Sequence, residues 1–548
     1  MILPNPFRSM TFGGALRAAA GRDPGKVAIL DGARTTDFRT LAERIGRLRD
    51  AAIGLGVTKG DIVAIVSRNR TEFIEVVAGL PDAGAAVATI NPRLAPAEVR
   101  QALEDCGARL VFTDPDSRDL VDQAISAPTA SSTQTASPAK AGAHSGDHSN
   151  EARSAITSTS ATGPRPSPGK HIKEVTFGPE YEALLANAPT PAARPRIEEW
   201  EAWTIPYTSG TTGKPKGVVL SHRSRMLVGL ICAAEFGCFG PDDRFLAMTP
   251  MNHGGGLGFP TGILAAGGSI EILDRFDPET VLERLKFGGI TGLFMVPTHF
   301  QMIFALPPET LAKYERPPIR AILANAAPLP QAMKEKIIPY FGKTVLHELY
   351  AATETGLVCN LRPKDQLRKQ SCVGTTFPHV EAEVRRDDGS ICEADEVGEL
   401  WARGPVLFNG YWNRPDETAK AVKDGWVSVG DMARRDAEGF LYIVDRKKDM
   451  VISGGVNIYP REVEEVLFAH PDIADVAVIG VPDETWGERL KAFVVPRAGA
   501  VFTAETLAAH CAGRIAGYKI PKDVALVDVL PRNANGKVLK TELRLDRG

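Results

Sequence analysis

Short runs of β-branched and small apolar residues alternate with helical patterns along much of the chain, and this alternation most narrows what the chain can fold into. Residues 27–30 (VAIL), 61–67 (DIVAIVS), 85–90 (AAVATI), 109–113 (RLVFT), 217–221 (GVVLS) and 272–276 (ILDRF) read as strands. Between Ile62 and Asn91 the order is strand, helix, strand, with the helix running from Glu72 to Leu80 and stopped by Pro81. Leu41 to Leu55 carries the apolar spacing of an amphipathic helix. Such alternation predicts α/β architecture with parallel sheets, doubly wound in the N-terminal portion.

Two changes of texture divide the chain. From 127 to 170 the sequence is rich in Ser, Thr, Ala, Pro and Gly, with almost no large apolar side chain to offset the entropy of ordering. This segment reads as a tolerated surface insert, and His144 and His148 within it are weak grounds for a metal site. Before Asp445 lie short strands with Gly and Asp turns, a β-rich lobe. After it, helix and strand patterns restart on a scale that suits a small α+β domain. The expected organisation is a large domain at 1–444, a hinge at 445–449 and a small mobile domain at 450–548.

Lys and Arg number 64 against 67 Asp and Glu, leaving a net charge of −3 with no basic block to track a phosphate backbone. A small-molecule partner is favoured over nucleic acid. The seven cysteines are scattered without CxxC pairing, as expected of buried thiols in a reducing compartment. No apolar stretch is long enough to span a bilayer, so the cytoplasm is the expected location.

Residues 207–217 read YTSGTTGKPKG, packing hydroxyls, glycines and lysines between two expected strands. Glycines let backbone N–H groups approach an anion, hydroxyls donate further hydrogen bonds and lysines balance charge, so the segment suits a polyphosphate. A Walker A loop would need glycine at 215, five residues after Gly210, where this chain has Pro215.

The same segment resembles the signature of the acyl-adenylate-forming superfamily, which comprises acyl-CoA synthetases, peptide-synthetase adenylation domains and firefly-type luciferases. Further elements similar to the family's follow in order: PMNHG (250–254), NAAPL (325–329), YAATE (350–354), VGD (429–431), DRKKD (445–449), SGGVNIYP (453–460) and NGK (535–537). The resemblance covers nearly the whole chain outside the insert. It implies activation of a carboxylic acid by ATP to acyl-AMP with pyrophosphate release, then transfer to coenzyme A as co-substrate.

By resemblance, Thr208, Ser209, Gly210, Thr211, Thr212, Gly213 and Lys214 cradle the β- and γ-phosphates, Thr353 touches the α-phosphate and Glu354 holds Mg²⁺. Tyr350 stacks on adenine, with Asn325, Ala326 and Ala327 opposing it, Glu348 near the base edge, and Leu349, Ala351 and Ile443 adjoining the nucleotide. Where the family commonly has glycine, this chain has Asn325 and Ala351. Asp431 accepts from both ribose hydroxyls, assisted by Arg446. Lys537 is the adenylation lysine, swinging in to bond carboxylate and α-phosphate in the transition state.

Lys448 matches the hinge about which the small domain rotates. After rotation Gly454 and Gly455 would line the pantetheine channel, with Trp486, Lys519 and Lys522 as candidates for the CoA nucleotide, against a surface-packing role for all three. His253 borders the carboxylate pocket. Gly254, Gly255 and Gly256 leave it room, and Gly262, Met295, Val296, His299, Ala351 and Ala352 are candidate walls for a medium-sized apolar or aromatic acid. An acyl-AMP ligase loading a carrier protein, a luciferase-like oxygenase and a non-catalytic nucleotide-binding relative compete with the CoA ligase. Glu354, Asp431, Arg446 and Lys537 argue against the last. A homodimer is compatible with all of these readings.

Overall fold

The computed structural model describes residues 10–126, 172–191, 193–208, 216–497, 499–500, 502–532 and 538–545. The insert at 127–170, the loop residues Ser209, Gly210, Thr211, Thr212, Gly213 and Lys214, and Lys537 therefore lie outside the described residues, and for Thr208 only the backbone is described.

Two large sheets carry the N-terminal portion. In the first, Lys173–Thr176, Leu110–Thr113, Ile62–Val66, Ala86–Ile90 and Ala202–Thr208 run parallel in that spatial order. Lys216–Ser221 and then Gly410–Tyr411 extend its edge antiparallel. Ile62–Val66 and Ala86–Ile90 are buried at every residue, as strands covered on both faces must be. The second sheet has nine strands, with Leu346–Ala352 and Gly356–Leu361 forming a hairpin near one edge. Helices between the sheets, among them Phe12–Arg22, Phe38–Gly54, Thr71–Asp82, His222–Phe236 and Gly254–Ala266, share one continuous apolar core with strands of both. The expected doubly wound α/β body is present.

The elements depart from expectation in physically legible ways. Pro81 does not stop its helix, which spans Thr71–Asp82. A proline in the last turn cannot donate to the carbonyl four residues back, and the buried Trp203 indole takes that acceptor, Nε1 donating to Val77 O at 2.6 Å. The helix Phe38–Gly54 starts three residues before the apolar spacing does, because Asp37 caps it by accepting from Thr40 N at 2.7 Å. Of the run 272–276 only Ile272 belongs to a strand, Ser269–Ile272. Asp277 then caps the next helix, Pro278–Phe287.

A six-stranded lobe follows, with Asp431–Arg435 paired antiparallel to Leu441–Arg446. Beyond it a separate five-stranded sheet is built on the long hairpin Ile473–Asp483 and Gly487–Pro496, with Asp523–Leu526 added in parallel. Its core, including Val463, Leu467, Val478 and Val494, is distinct from that of the body. Arg461 N donates to Asp445 Oδ2 at 3.0 Å and Ser371 Oγ to Glu465 Oε2 at 2.8 Å, joining this last unit to the rest. Six of the seven cysteines are buried and all are free thiols. Among the described residues no helix is long and apolar enough to cross a membrane.

Candidate active site

The hairpin of the second sheet places the candidate nucleotide residues. Tyr350 lies on Leu346–Ala352, where an irregularity between Tyr350 and Ala351 shifts the pairing with Gly356–Leu361. The connecting turn carries Thr353 and Glu354. It closes on Gly356, whose φ of 65° and 2.9 Å approach of a Cβ to Val406 O exclude larger residues. Thr355 is buried and takes the Ala352 N–H on its hydroxyl at 3.2 Å. The turn is thereby fixed, while Thr353 and Glu354 stay partly exposed above it.

Three predicted residues meet in one hydrogen-bonded group. The Tyr350 hydroxyl donates to Asp431 Oδ2 at 2.5 Å, and Arg446 Nε pairs with Asp431 Oδ1 at 2.5 Å. Asp431 and Arg446 sit directly opposite each other on paired strands, so their proximity follows from register. Burial and the Asp431 charge push the Tyr350 phenol well above its ordinary range, keeping it a donor. Each carboxylate oxygen keeps acceptor capacity beyond these bonds, as a vicinal diol requires. Ile443, on the strand that ends in Arg446, packs half-buried against the main core.

Asn325, Ala326 and Ala327 follow the strand Ala321–Ala324, with both alanines exposed. Ala326 has φ of 77°, a left-handed conformation uncommon for alanine, and its N–H is held by Asn325 Oδ1 at 2.6 Å. Glu348 differs from expectation. Its carboxylate is buried beneath the strand, ion-paired with the fully buried Lys334 and accepting from Leu329 N at 3.3 Å. It braces the loop that follows Ala321–Ala324, and its carboxylate is engaged there and not at an exposed edge. Leu349 likewise points into the core at 3% exposure, so only its backbone faces the site.

Around the phosphate loop, the stems are described. Tyr207 is buried and donates to Asp105 Oδ2 at 2.9 Å, Thr208 pairs with Lys216, and Lys216 makes an ion pair with Glu417. Glu354 Oε1 accepts from the Tyr411 hydroxyl at 2.8 Å, and Oε2 has no protein donor among the described residues. A partly exposed carboxylate with one oxygen free suits a hard divalent cation. Tyr411 and Lys334 carried no signal in the sequence reading: their partners are 57 and 14 positions away and only folding brings them together.

On the acyl side, His253 immediately precedes the helix Gly254–Ala266 without a side-chain capping bond, with Asn252 Nδ2 3.1 Å and Asn91 Nδ2 3.5 Å from its Nε2. The three glycines divide their roles. A Cβ on Gly256 would lie 2.0 Å from Pro250 O, and one on Gly255 would lie 2.9 Å from the Phe294 ring, so both permit close packing. Open space adjoins Gly254 and Gly258, one helical turn apart, beside Trp203, Thr204, Leu220 and Arg225.

Three expected wall residues belong elsewhere. Gly262 meets Gly229 at a helix crossing, with 3.1 Å from its Cβ position to Gly229 Cα. Met295 is fully buried in the opposite core. His299 stacks on Phe276 with centroids 4.2 Å apart, its pKa lowered to about 4 by burial. Val296, Ala351 and Ala352 are half-buried, as a pocket wall requires.

In the last unit, Gly454 and Gly455 form the turn between Val451–Ser453 and Val456–Ile458 with φ of 58° and 79°, the two positive values a tight hairpin turn demands. Trp486 packs on Gly454, 2.7 Å from its Cβ position, and Lys522 Nζ lies 5.9 Å from the Trp486 ring centre. Lys519 is instead engaged with Glu462 at 2.7 Å. Lys448 is exposed in the turn Lys447–Asp449, where partial burial of its ammonium, with Arg446 and Arg544 nearby, lowers its pKa.

The comparisons agree with this geometry. The AMP-binding enzyme family matches residues 16–412, and the AMP-binding enzyme C-terminal domain matches 462–537. The chain is 34% identical to an indoleacetate–CoA ligase of Aromatoleum aromaticum, with 96% of each chain covered. It is 33% identical to a 2-succinylbenzoate–CoA ligase of Geobacillus kaustophilus and 31% identical to a feruloyl-CoA synthase of an Amycolatopsis species, again with 96% of each covered. A solved o-succinylbenzoate CoA synthetase from Bacillus subtilis, in complex with its acyl-adenylate intermediate, aligns with TM-score 0.79 at 27% identity over 97% of each chain. ATP-bound MatB from Rhodopseudomonas palustris aligns with TM-score 0.81 at 28% identity over 98% of this chain and 99% of that one. The group formed by Tyr350, Asp431 and Arg446, the turn carrying Glu354 and these matches lead to one conclusion: the chain belongs to the AMP-binding enzyme family, within the acyl-adenylate-forming superfamily of acyl-CoA synthetases.

Proposed function

We propose that this enzyme is an AMP-forming carboxylate–CoA ligase acting on an aromatic acid. The observation that carries the nucleotide half is the group in which Tyr350 and Arg446 together orient Asp431. It presents an aromatic face for adenine beside acceptors for the ribose. The stems of the phosphate loop and the Glu354 turn come from neighbouring strands, so triphosphate and Mg²⁺ fit the same face. Bound Mg²⁺ would neutralise charge on the phosphates and draw off pyrophosphate. Glu354 offers its free oxygen to the cation, Thr353 adjoins the α-phosphate, and Lys537 supplies the cation that stabilises the transition state.

The space for the acid is the opening at Gly254 and Gly258, bordered by His253, Trp203, Leu220 and Leu257. The aromatic preference rests on three relatives, which are named for indoleacetate, 2-succinylbenzoate and ferulate, each an aromatic acid. For the second half-reaction, Gly454 and Gly455 with Trp486 and Lys522 would meet the CoA arm and nucleotide after rotation about Lys448. The test is a panel of aryl, arylalkyl and straight-chain acids with MgATP and CoA, following thioester. A preference for acetate or long straight chains over every aromatic acid would refute the acid assignment.

A further inference from the structure

One short segment, 410–418, grips both stems of the phosphate loop and also the turn that carries Glu354. Gly410–Tyr411 pairs antiparallel with Lys216–Ser221, and Trp412 N continues the pairing to Gly217 O at 2.8 Å. Glu417 holds Lys216, whose Nζ lies 5.3 Å from the Tyr411 ring centre. On the other stem, Tyr207 donates to Asp105 Oδ2, and Arg414 Nη2 donates to Asp105 Oδ1 at 2.7 Å. Glu354 is held twice, its carbonyl by Phe408 N at 2.8 Å and its carboxylate by the Tyr411 hydroxyl at 2.8 Å.

We propose that Tyr411 is a positioning residue for the metal–nucleotide complex: its hydroxyl fixes the Glu354 carboxylate so that a single oxygen faces the cation, in register with the phosphate loop. This rests on the reading of Glu354 as the Mg²⁺ ligand. A carboxylate binds a divalent cation through one oxygen or through both, and a donor on Oε1 selects the first mode. The plain alternative is that Tyr411 only packs, its ring lying edge-on to Phe408 with centroids 5.1 Å apart. Tyr411→Phe separates the two, because it keeps the ring and removes the hydroxyl.

The experiment measures ATP binding by calorimetry for the full chain, in EDTA and across a Mg²⁺ titration. In Tyr411→Phe, affinity in EDTA is expected to stay within about twofold of wild type, while the Mg²⁺-dependent gain shrinks roughly tenfold, the scale of one hydrogen bond to a charged group. Glu417→Gln, which frees Lys216 and leaves the hydroxyl in place, is expected to weaken binding equally with and without Mg²⁺. In the double-mutant cycle, Tyr411→Phe should add nothing to the Mg²⁺ dependence of Glu354→Gln. A Mg²⁺ gain in Tyr411→Phe equal to wild type, or additive effects in the cycle, would overturn the proposal. A wild-type protein that binds ATP with no Mg²⁺-dependent gain, or whose gain survives Glu354→Gln, would overturn the metal reading beneath it.

Discussion

Asp431→Asn leaves the side chain's shape nearly unchanged and removes its charge. In the structure the Tyr350 hydroxyl occupies Oδ2 and Arg446 Nε occupies Oδ1, both at 2.5 Å. A carboxylate has about four lone-pair sites, so about two remain for the ribose diol. Hydrogen bonds to a charged partner contribute about 1.5–3 kcal/mol, against about 0.5–1.5 kcal/mol for neutral pairs. Two ribose bonds weakened by about 1 kcal/mol each amount to about 2 kcal/mol, or roughly 30-fold in the dissociation constant for ATP. Calorimetric titration with ATP, 2′-deoxy-ATP and 3′-deoxy-ATP separates this effect from general damage. Wild type should prefer ATP over either deoxy analogue by about tenfold, and the variant by only about twofold. A variant that keeps the full wild-type preference would refute the ribose assignment, whatever its absolute affinity.

Other outcomes follow from the same geometry. Gly256→Ala drives a Cβ into Pro250 O and should cost about 3 kcal/mol, whereas Gly258→Ala meets nothing and gains about 1 kcal/mol of helix propensity; melting temperatures in the opposite order would contradict the packing. Lys537→Ala should lower adenylation by at least about 100-fold, as loss of a transition-state charge does, yet largely spare thioester formation from supplied acyl-AMP. Equal loss of both would contradict the two-conformation assignment. His299 and His347 are held neutral by burial, with pKa values of about 4 against about 6.5 when unfolded. The unfolded chain therefore binds more protons between these values, and stability should fall as pH drops from about 6.5 towards 4. His299→Phe preserves the stack on Phe276 and should flatten part of that fall, seen as a smaller change in melting temperature.

How far the sequence could be read depended on whether a feature was local. Strands such as Ile62–Val66 and Ala86–Ile90 declared themselves because parallel strands buried on both faces need unbroken apolar runs. Residues 272–276, with Asp274 and Arg275 inside the run, contribute only Ile272 to a strand, and Asp277 then caps the next helix. Pro81 looked like a stop because a proline removes a donor; Trp203, 122 positions on, satisfies the abandoned carbonyl. In the site, the motif residues Tyr350, Asp431 and Arg446 are assigned by resemblance to one nucleotide, and the structure shows that they bond one another directly. Glu348 was placed near the base because sequence shows which residues flank a motif but not the face on which a strand residue lies. Its partner Lys334, and Tyr411 behind Glu354, belong to contacts between distant elements that no local spacing encodes. Gly262, a candidate wall of the pocket in the sequence, instead faces a second helix at Gly229.

The central claim is that one site performs AMP transfer to a carboxylate and then passes the acyl group to a thiol. The direct measurement incubates the protein with MgATP and an aromatic acid such as indoleacetate, with and without CoA, and follows pyrophosphate, AMP and thioester together. Pyrophosphate with bound acyl-AMP is expected when CoA is absent, and stoichiometric AMP and thioester when it is added. ADP and inorganic phosphate in place of AMP and pyrophosphate, or no acid-dependent pyrophosphate with any acid of the panel, would contradict it.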